Sequence, residues 1–161
     1  MDRLWTPWRF EYIRKADSAV SCVFCGILSE EKDIDNLVLY RGKHCFVILN
    51  IFPYTSGHLM CVANRHISCL ADASNDELHE MIELARKCEI ALRNEYHPDG
   101  LNLGFNLGRS AGAGVEHHLH MHVLPRWTGD SNFVSVIGET RVLPEELPAT
   151  YKRLLVHFKG Q

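Results

Sequence analysis

The chain has 161 residues, 46% of them apolar, with 17 basic against 20 acidic side chains and a net charge of −3. This is enough for one packed domain without disulfide staples, and the acidic balance argues against a general nucleic-acid or membrane-surface role, which wants a basic excess. No apolar run reaches the roughly 18 residues of a membrane span, and Met1-Asp2-Arg3-Leu4-Trp5 lacks the basic-then-apolar layout of a secretion signal; a cytoplasmic protein with mostly reduced cysteines is therefore expected.

The opening carries Trp5, Trp8 and Arg9, which either line a substrate pocket, anchor a dimer or pack an otherwise loose terminus. Cys22-Val23-Phe24-Cys25 follows, with half the ligand spacing of a structural zinc site. Tetrahedral zinc needs two further ligands, and packed thiols are the alternative. A redox pair is disfavoured because the flanks lack a βαβ setting.

Leu37 to Tyr40 and Cys45 to Leu49 are short apolar runs joined by Arg41-Gly42-Lys43, which predicts a hairpin. His58 to Ala63 is a third strand, reached through Pro53, Ser56 and Gly57. Ser74 precedes Glu77 by three residues, and Leu78, Met81, Ile82, Ala85, Leu92 and Tyr96 recur at helical spacing, so a long helix starts at Ser74 with a capping box. It stops near His97-Pro98-Asp99-Gly100.

Leu101 to Asn106 and Leu119 to Leu124 read as two more strands around the glycine-rich loop at 108–114. A weaker helix begins at Pro144 or Pro148 and runs toward Phe158. Strands outnumber helices and no βαβ alternation occurs, which predicts an α+β fold with a mostly antiparallel sheet of about five strands, one long helix and one or two shorter ones. Residues 1–161 are read as a single domain, with 1–20 and 128–161 as extensions.

Of ten histidines, four fall between 117 and 122. In a strand, alternate side chains share a face, so His118, His120 and His122 point one way while Leu119, Met121 and Val123 point into the core. Regular alternation with large apolar residues does not suit incidental surface histidines. Two readings remain: a metal site, since imidazoles at i and i+2 can share zinc, or nucleophilic catalysis at phosphorus. In the second, a neutral imidazole attacks while a hydrogen bond at its other nitrogen fixes the tautomer.

His118-Leu119-His120-Met121-His122-Val123-Leu124 resembles the His-φ-His-φ-His-φ-φ signature of the histidine-triad superfamily. Leu49-Asn50, Ser56-Gly57-His58, Asn102 to Asn106 and Pro125-Arg126-Trp127 fall where that family has its nucleotide-pocket segments. The resemblance covers roughly residues 20 to 127. The Leu4 to Arg9 segment and Gly112-Ala113-Gly114-Val115 look more like the subgroup of bacterial enzymes similar to diadenosine tetraphosphate phosphorylase.

The resemblance implies cleavage of dinucleoside polyphosphates through a nucleotidyl-histidine on His120, with phosphate or water as acceptor and no cofactor needed for the chemistry. His122 contacts the reacting phosphate and serves as proton donor, His118 and His58 support the row, Asn50 binds ribose and Asn106 lies near the phosphates. Successive backbone N–H groups of the glycine-rich loop can form an anion nest, making Arg109, Ser110 and Gly114 candidates. The loop lacks the side-chain donor pair common in the family and has one residue more before the triad. Relatives with a matching cysteine pair complete a zinc site with positions that correspond to His66 and His118. A homodimer with a continuous sheet is also implied, and neither nucleic acid nor membrane is an expected partner. Rival functions are a nucleoside phosphoramidate or adenylyl-amine hydrolase with the same covalent step, and a non-catalytic nucleotide-binding zinc protein.

Overall fold

The computed structural model describes residues 22–131, 137–138 and 144–159; Trp5, Trp8 and Arg9 lie outside them. The described elements are α1 (Val23–Ser29), β1 (Val38–Arg41), β2 (Cys45–Leu49), β3 (Leu59–Ala63), α2 (Asn75–Tyr96), β4 (Gly100–Phe105), β5 (His120–Arg126) and α3 (Leu147–Leu155). The five strands form one antiparallel sheet in the order β1-β2-β3-β5-β4, the expected α+β fold. Among the described residues no helix is long and apolar enough to cross a membrane.

The hairpin turns where Gly42 N–H donates to Cys45 O over 2.8 Å. The carboxylate of Glu80 on α2 receives the backbone N–H groups of Lys43, His44 and Cys45. A Cβ on Gly42 would meet Cys45 O and Glu80 Oε1, each at 2.7 Å, so the turn closes this tightly only with glycine.

Alternation divides the sheet into two faces. Cys45, Val47, Leu49, Leu59, Cys61, Leu119, Met121 and Val123 share the larger core cluster with α2 and with Tyr151, Leu154 and Phe158 at the C-terminal end. The opposite face of β2 and β3 supplies Phe46, Ile48, Met60 and Val62, which cluster with Phe24 of α1. Register places His122 opposite Met60 and His120 opposite Val62, so the histidines lie on the face that α1 covers.

The capping box is present: Ser74 Oγ accepts from Glu77 N–H and the Glu77 carboxylate accepts from Ser74 N–H over 2.7 Å. Glu77 is buried to 4% and is also bonded by Arg65 at 3.0 and 2.8 Å. This anchors the segment after β3 to the start of α2. The helix ends at His97 in a left-handed conformation, φ 47°, just before Pro98.

Candidate active site and metal cluster

The sequence places four imidazoles side by side across the sheet, but in an order that alternation alone does not give. β5 begins at His120, one residue later than expected: Leu119 O still accepts from Ala63 N–H over 3.1 Å, but Leu119 N–H donates to Ile67 O over 2.6 Å instead of returning to Ala63. His118 therefore sits just before the strand and turns toward the cysteines, while His58, at the entrance to β3, takes the place beside His122. Ring centroids are 5.0 Å apart for His120 and His122 and 5.1 Å for His122 and His58.

Each ring is oriented by a donor or acceptor whose role is not in doubt. His120 Nδ1 lies 2.7 Å from the backbone carbonyl of His118. A carbonyl only accepts, so Nδ1 carries the proton and Nε2 keeps its lone pair. On His58 the Tyr54 N–H donates to Nδ1 over 3.1 Å, which places the ring proton on Nε2, 2.9 Å from His122 Nδ1. His58 thus donates to His122, and the remaining proton of a neutral His122 is on its Nε2.

Burial sets the charge. His58 is 0% exposed and His120 5% exposed, so the row is more enclosed than half-buried histidines on a strand suggest. Burial pushes the His120 pKa below its ordinary value, and that of His122 down to about 4, with the neighbouring His120 a second cause. Both rings are neutral at pH 7. A neutral imidazole with a fixed tautomer and one bare nitrogen is a nucleophile.

Two aromatic residues that the sequence did not single out hold the row. Phe24 packs against His118 and His120, its ring centroid 5.3 Å from each. Tyr54 lies against His58 at 4.7 Å and stacks on His122 at 6.1 Å. The only signals available were their positions, Phe24 between two cysteines and Tyr54 four residues before a histidine. Gly57 adopts φ 79°, and a Cβ there would come within 2.9 Å of Leu92, so the turn into His58 requires glycine.

Cys22, Cys25, His66 and His118 form a Cys2His2 cluster whose ligand atoms all lie within 4.8 Å of one another. His118 Nε2 lies 2.7 Å from Ala63 O, so its proton is on Nε2 and Nδ1 faces Cys22 Sγ at 3.2 Å and Cys25 Sγ at 3.7 Å. His66 Nδ1 is 3.3 Å from Cys25 Sγ. Zinc bonds of about 2.3 Å to sulfur and 2.05 Å to nitrogen give a tetrahedral S–N edge of about 3.6 Å, which these separations bracket. A carbonyl behind a ligating histidine is the usual outer support of a metal site. Burial, and after it Cys22, push the Cys25 thiol up; a divalent cation among the donors reverses that tendency by stabilising thiolates. Both ring nitrogens of His118 are engaged here, so it meets the reacting region only through its backbone carbonyl.

The remaining candidates are distributed unevenly. Asn50 lies beside His58, with Oδ1 accepting from Phe52 N–H over 2.9 Å and Nδ2 3.3 Å from His58 Nδ1. Asn106 follows the Phe105↔Met121 pair by one residue, alongside the start of β5. Arg109 and Ser110 are exposed in a short turn at Arg109–Ala111. Gly108 and Gly112 flank it with φ 80° and 87°, and the N–H groups of Ala111, Gly112 and Ala113 donate to the carbonyls of Gly108, Arg109 and Gly108 within the loop. Gly114 is half-buried before the histidines. An open cavity of about 460 Å³, lined by Arg65, His66, Ile67, Ser68, Asp72 and His117, borders the metal cluster and not His120.

Residues 31–129 match the HIT domain family. The chain is 38% identical over 168 residues to the AP-4-A phosphorylase of Mycobacterium tuberculosis (strain ATCC 25618 / H37Rv), an alignment that spans 100% of this chain and 86% of that protein. It is 31% identical over 118 residues to Protein hit of Bacillus subtilis (strain 168), spanning 73% and 79%. Among solved structures, a Zn-bound histidine triad family protein from Mycobacterium smegmatis superposes with a TM-score of 0.70 at 30% identity, covering 86% of this chain and 93% of that one.

Proposed function

The chain belongs to the histidine-triad (HIT) family, and from that premise we propose that it is an enzyme that cleaves dinucleoside polyphosphates such as diadenosine tetraphosphate. The nucleotide is carried transiently on His120, and phosphate or water is the acceptor. The observation that carries the reading is the 2.7 Å bond between His120 Nδ1 and the His118 carbonyl, which leaves Nε2 as the nucleophilic atom. The full-length likeness to a protein named AP-4-A phosphorylase supports the substrate class.

In the first step Nε2 of His120 attacks the α-phosphorus. A P–N bond forms, the P–O bond to the rest of the chain breaks, and the electron pair leaves with the polyphosphate oxygen. The ring is cationic while nucleotidylated, and the His118 carbonyl stabilises its Nδ1–H. In the second step an oxygen of phosphate or water attacks the same phosphorus and the P–N pair returns to Nε2; where water attacks, the proton it loses passes to bulk solvent as the nucleotide is released. His122 offers its Nε2–H to the oxygen on which charge grows. Arg109, Ser110 and Gly114 of the 108–114 loop, together with Asn106, hold the phosphates.

We assign a structural zinc ion to Cys22, Cys25, His66 and His118, where it ties α1 to the strand that bears His120. The supporting observations are the donor set, its spacing and the oriented His118 ring. β4 lies at the edge of the sheet, and Leu103 on it is 48% exposed. A second copy pairing along this edge makes the homodimer; light scattering that finds only monomers at micromolar concentration rejects it.

Incubation with diadenosine tetraphosphate, with and without inorganic phosphate, tests the function. ADP plus ATP in the presence of phosphate marks phosphorolysis, and AMP plus ATP marks hydrolysis. No turnover in either condition refutes the reading; turnover of adenosine 5′-phosphoramidate instead then marks the phosphoramidate hydrolase, and no turnover of either leaves a nucleotide-binding zinc protein.

A further inference from the structure

The donors that converge on His58 have a consequence for the leaving group. Phe52 N–H must donate, so the Asn50 atom it meets at 2.9 Å is Oδ1. The amide nitrogen of Asn50 is thereby turned toward His58 Nδ1, 3.3 Å away, where Tyr54 N–H already donates over 3.1 Å. Two N–H groups meet one ring nitrogen, which can satisfy them only as a lone pair. The proton of His58 is on Nε2 and points at His122 Nδ1 over 2.9 Å.

The order of this chain limits what His122 can do. The groups behind His58 are a peptide N–H and an amide N–H, and neither passes a proton on. If neutral His122 gave up its Nε2–H, an imidazolate would remain. His122 can therefore donate a hydrogen bond to charge that develops on oxygen, but it cannot release the proton to a leaving group that departs only when protonated.

We propose that Asn50 and the Tyr54 backbone N–H lock the His58–His122 pair as a hydrogen-bond donor, restricting the enzyme to nucleotidyl substrates whose leaving group departs as an oxyanion and excluding those that depart as an amine. This rests on the proposed reading of His120 and gives that reading a substrate class. A polyphosphate leaves with its oxygen unprotonated near neutral pH. A phosphoramidate nitrogen must take up a proton as the P–N bond breaks, and this chain has none to release. Asn50 is then a positioning residue that acts through His58, with its amide turned inward. The Tyr54 ring, against His58 at 4.7 Å and stacked on His122 at 6.1 Å, packs on both imidazoles, whose planes stand 52° apart.

Two measurements on the metal-loaded full chain test this. Nitrogen-15 NMR of the wild-type protein at pH 7 reads the tautomer directly. The expected pattern for His122 is a bare, pyridine-type Nδ1 and a protonated, pyrrole-type Nε2; the reverse pattern, or a protonated Nδ1, overturns the inference. Kinetics then compare kcat/KM for diadenosine tetraphosphate with that for adenosine 5′-phosphoramidate. A carboxylate in Asn50→Asp removes a donor and adds a charge that keeps a further proton on the pair. The ratio should shift toward the phosphoramidate by about tenfold or more, the effect of one pKa unit in the donor. A contribution of Asn50 to ribose binding cancels in that ratio. An unchanged ratio overturns the inference alone when the wild type still forms nucleotidyl-His120. Absence of any adduct on His120 with either substrate overturns the reading of the enzyme and this inference with it.

Discussion

Phe24, the residue between the two clustered cysteines, presses its ring against His120 at a centroid separation of 5.3 Å and an interplanar angle of 53°. Helix α1 has 7 residues, too few to persist unaided. Its position depends on Arg41, which bonds the carbonyls of Ile27, Leu28 and Glu30, on the Cys2His2 cluster, and on the packing of Phe24 itself. Phe24→Ala opens a cavity beside the proposed nucleophile and should destabilise the protein by about 3–5 kcal/mol. Phe24→Leu should cost about 1.5 kcal/mol or less. Urea unfolding of both variants checks this, and equal losses for the two contradict the packing role.

The metal assignment makes a quantitative demand. Elemental analysis should find about one zinc per chain, and His66→Ala, which removes a donor exposed at the surface, should lose most of it. Because metal binding to the folded state adds to stability, chelation should lower the thermal midpoint. A loss of about 3 kcal/mol corresponds to about 6–12 °C in a domain of this size. Less than about a tenth of a zinc per chain, with no shift on chelation, leaves the four residues as packed thiols and imidazoles.

Arg65 and Glu77 join the segment carrying His66 to the first turn of α2. The Arg65 guanidinium beside Glu77 holds its carboxyl down at about 2, against an ordinary 4.5. The folded value is the lower one, so this stability is complete above about pH 4.5 and drains away as pH falls toward 2. Arg65 is 57% exposed, so solvent screens the pair and only part of the shift remains as stability. Glu77→Gln should remove that part of the acid dependence in unfolding measured from pH 6 to pH 3; an unaltered slope contradicts the coupling.

The neutral histidines predict the pH profile of activity. With His122 held at about 4 instead of 6.5, the free enzyme keeps its donor tautomer well below the usual histidine range. We expect kcat/KM, which reports the free enzyme, to hold through the ordinary histidine range near 6.5 and to fall only below it. A decline centred near 6.5 contradicts a neutral, buried pair.

Much of this was legible in the residues. Ser74 and Glu77 announced the long helix because a capping box is a local device, and the His-Leu-His-Met-His-Val pattern announced β5 because alternation belongs to any half-buried strand. Long-range choices were not legible. Helix α1 is too short to show periodicity, and nothing local tells that Phe24 reaches across to His120. The strand stops short of His118 where Leu119 N–H turns from β3 to Ile67 O, a contact set by the chain after β3. The orientation of the Asn50 amide, set by Phe52 and His58, has no local signal in the sequence either.

Trapping the covalent intermediate tests the central claim most directly. The protein mixed with diadenosine tetraphosphate, quenched without acid and digested for mass spectrometry should carry one AMP on the peptide that contains His120, attached at that residue, and His120→Ala, still folded, should carry none. Nucleotide found on Ser110 or on a cysteine, or undiminished turnover by His120→Ala, contradicts the account.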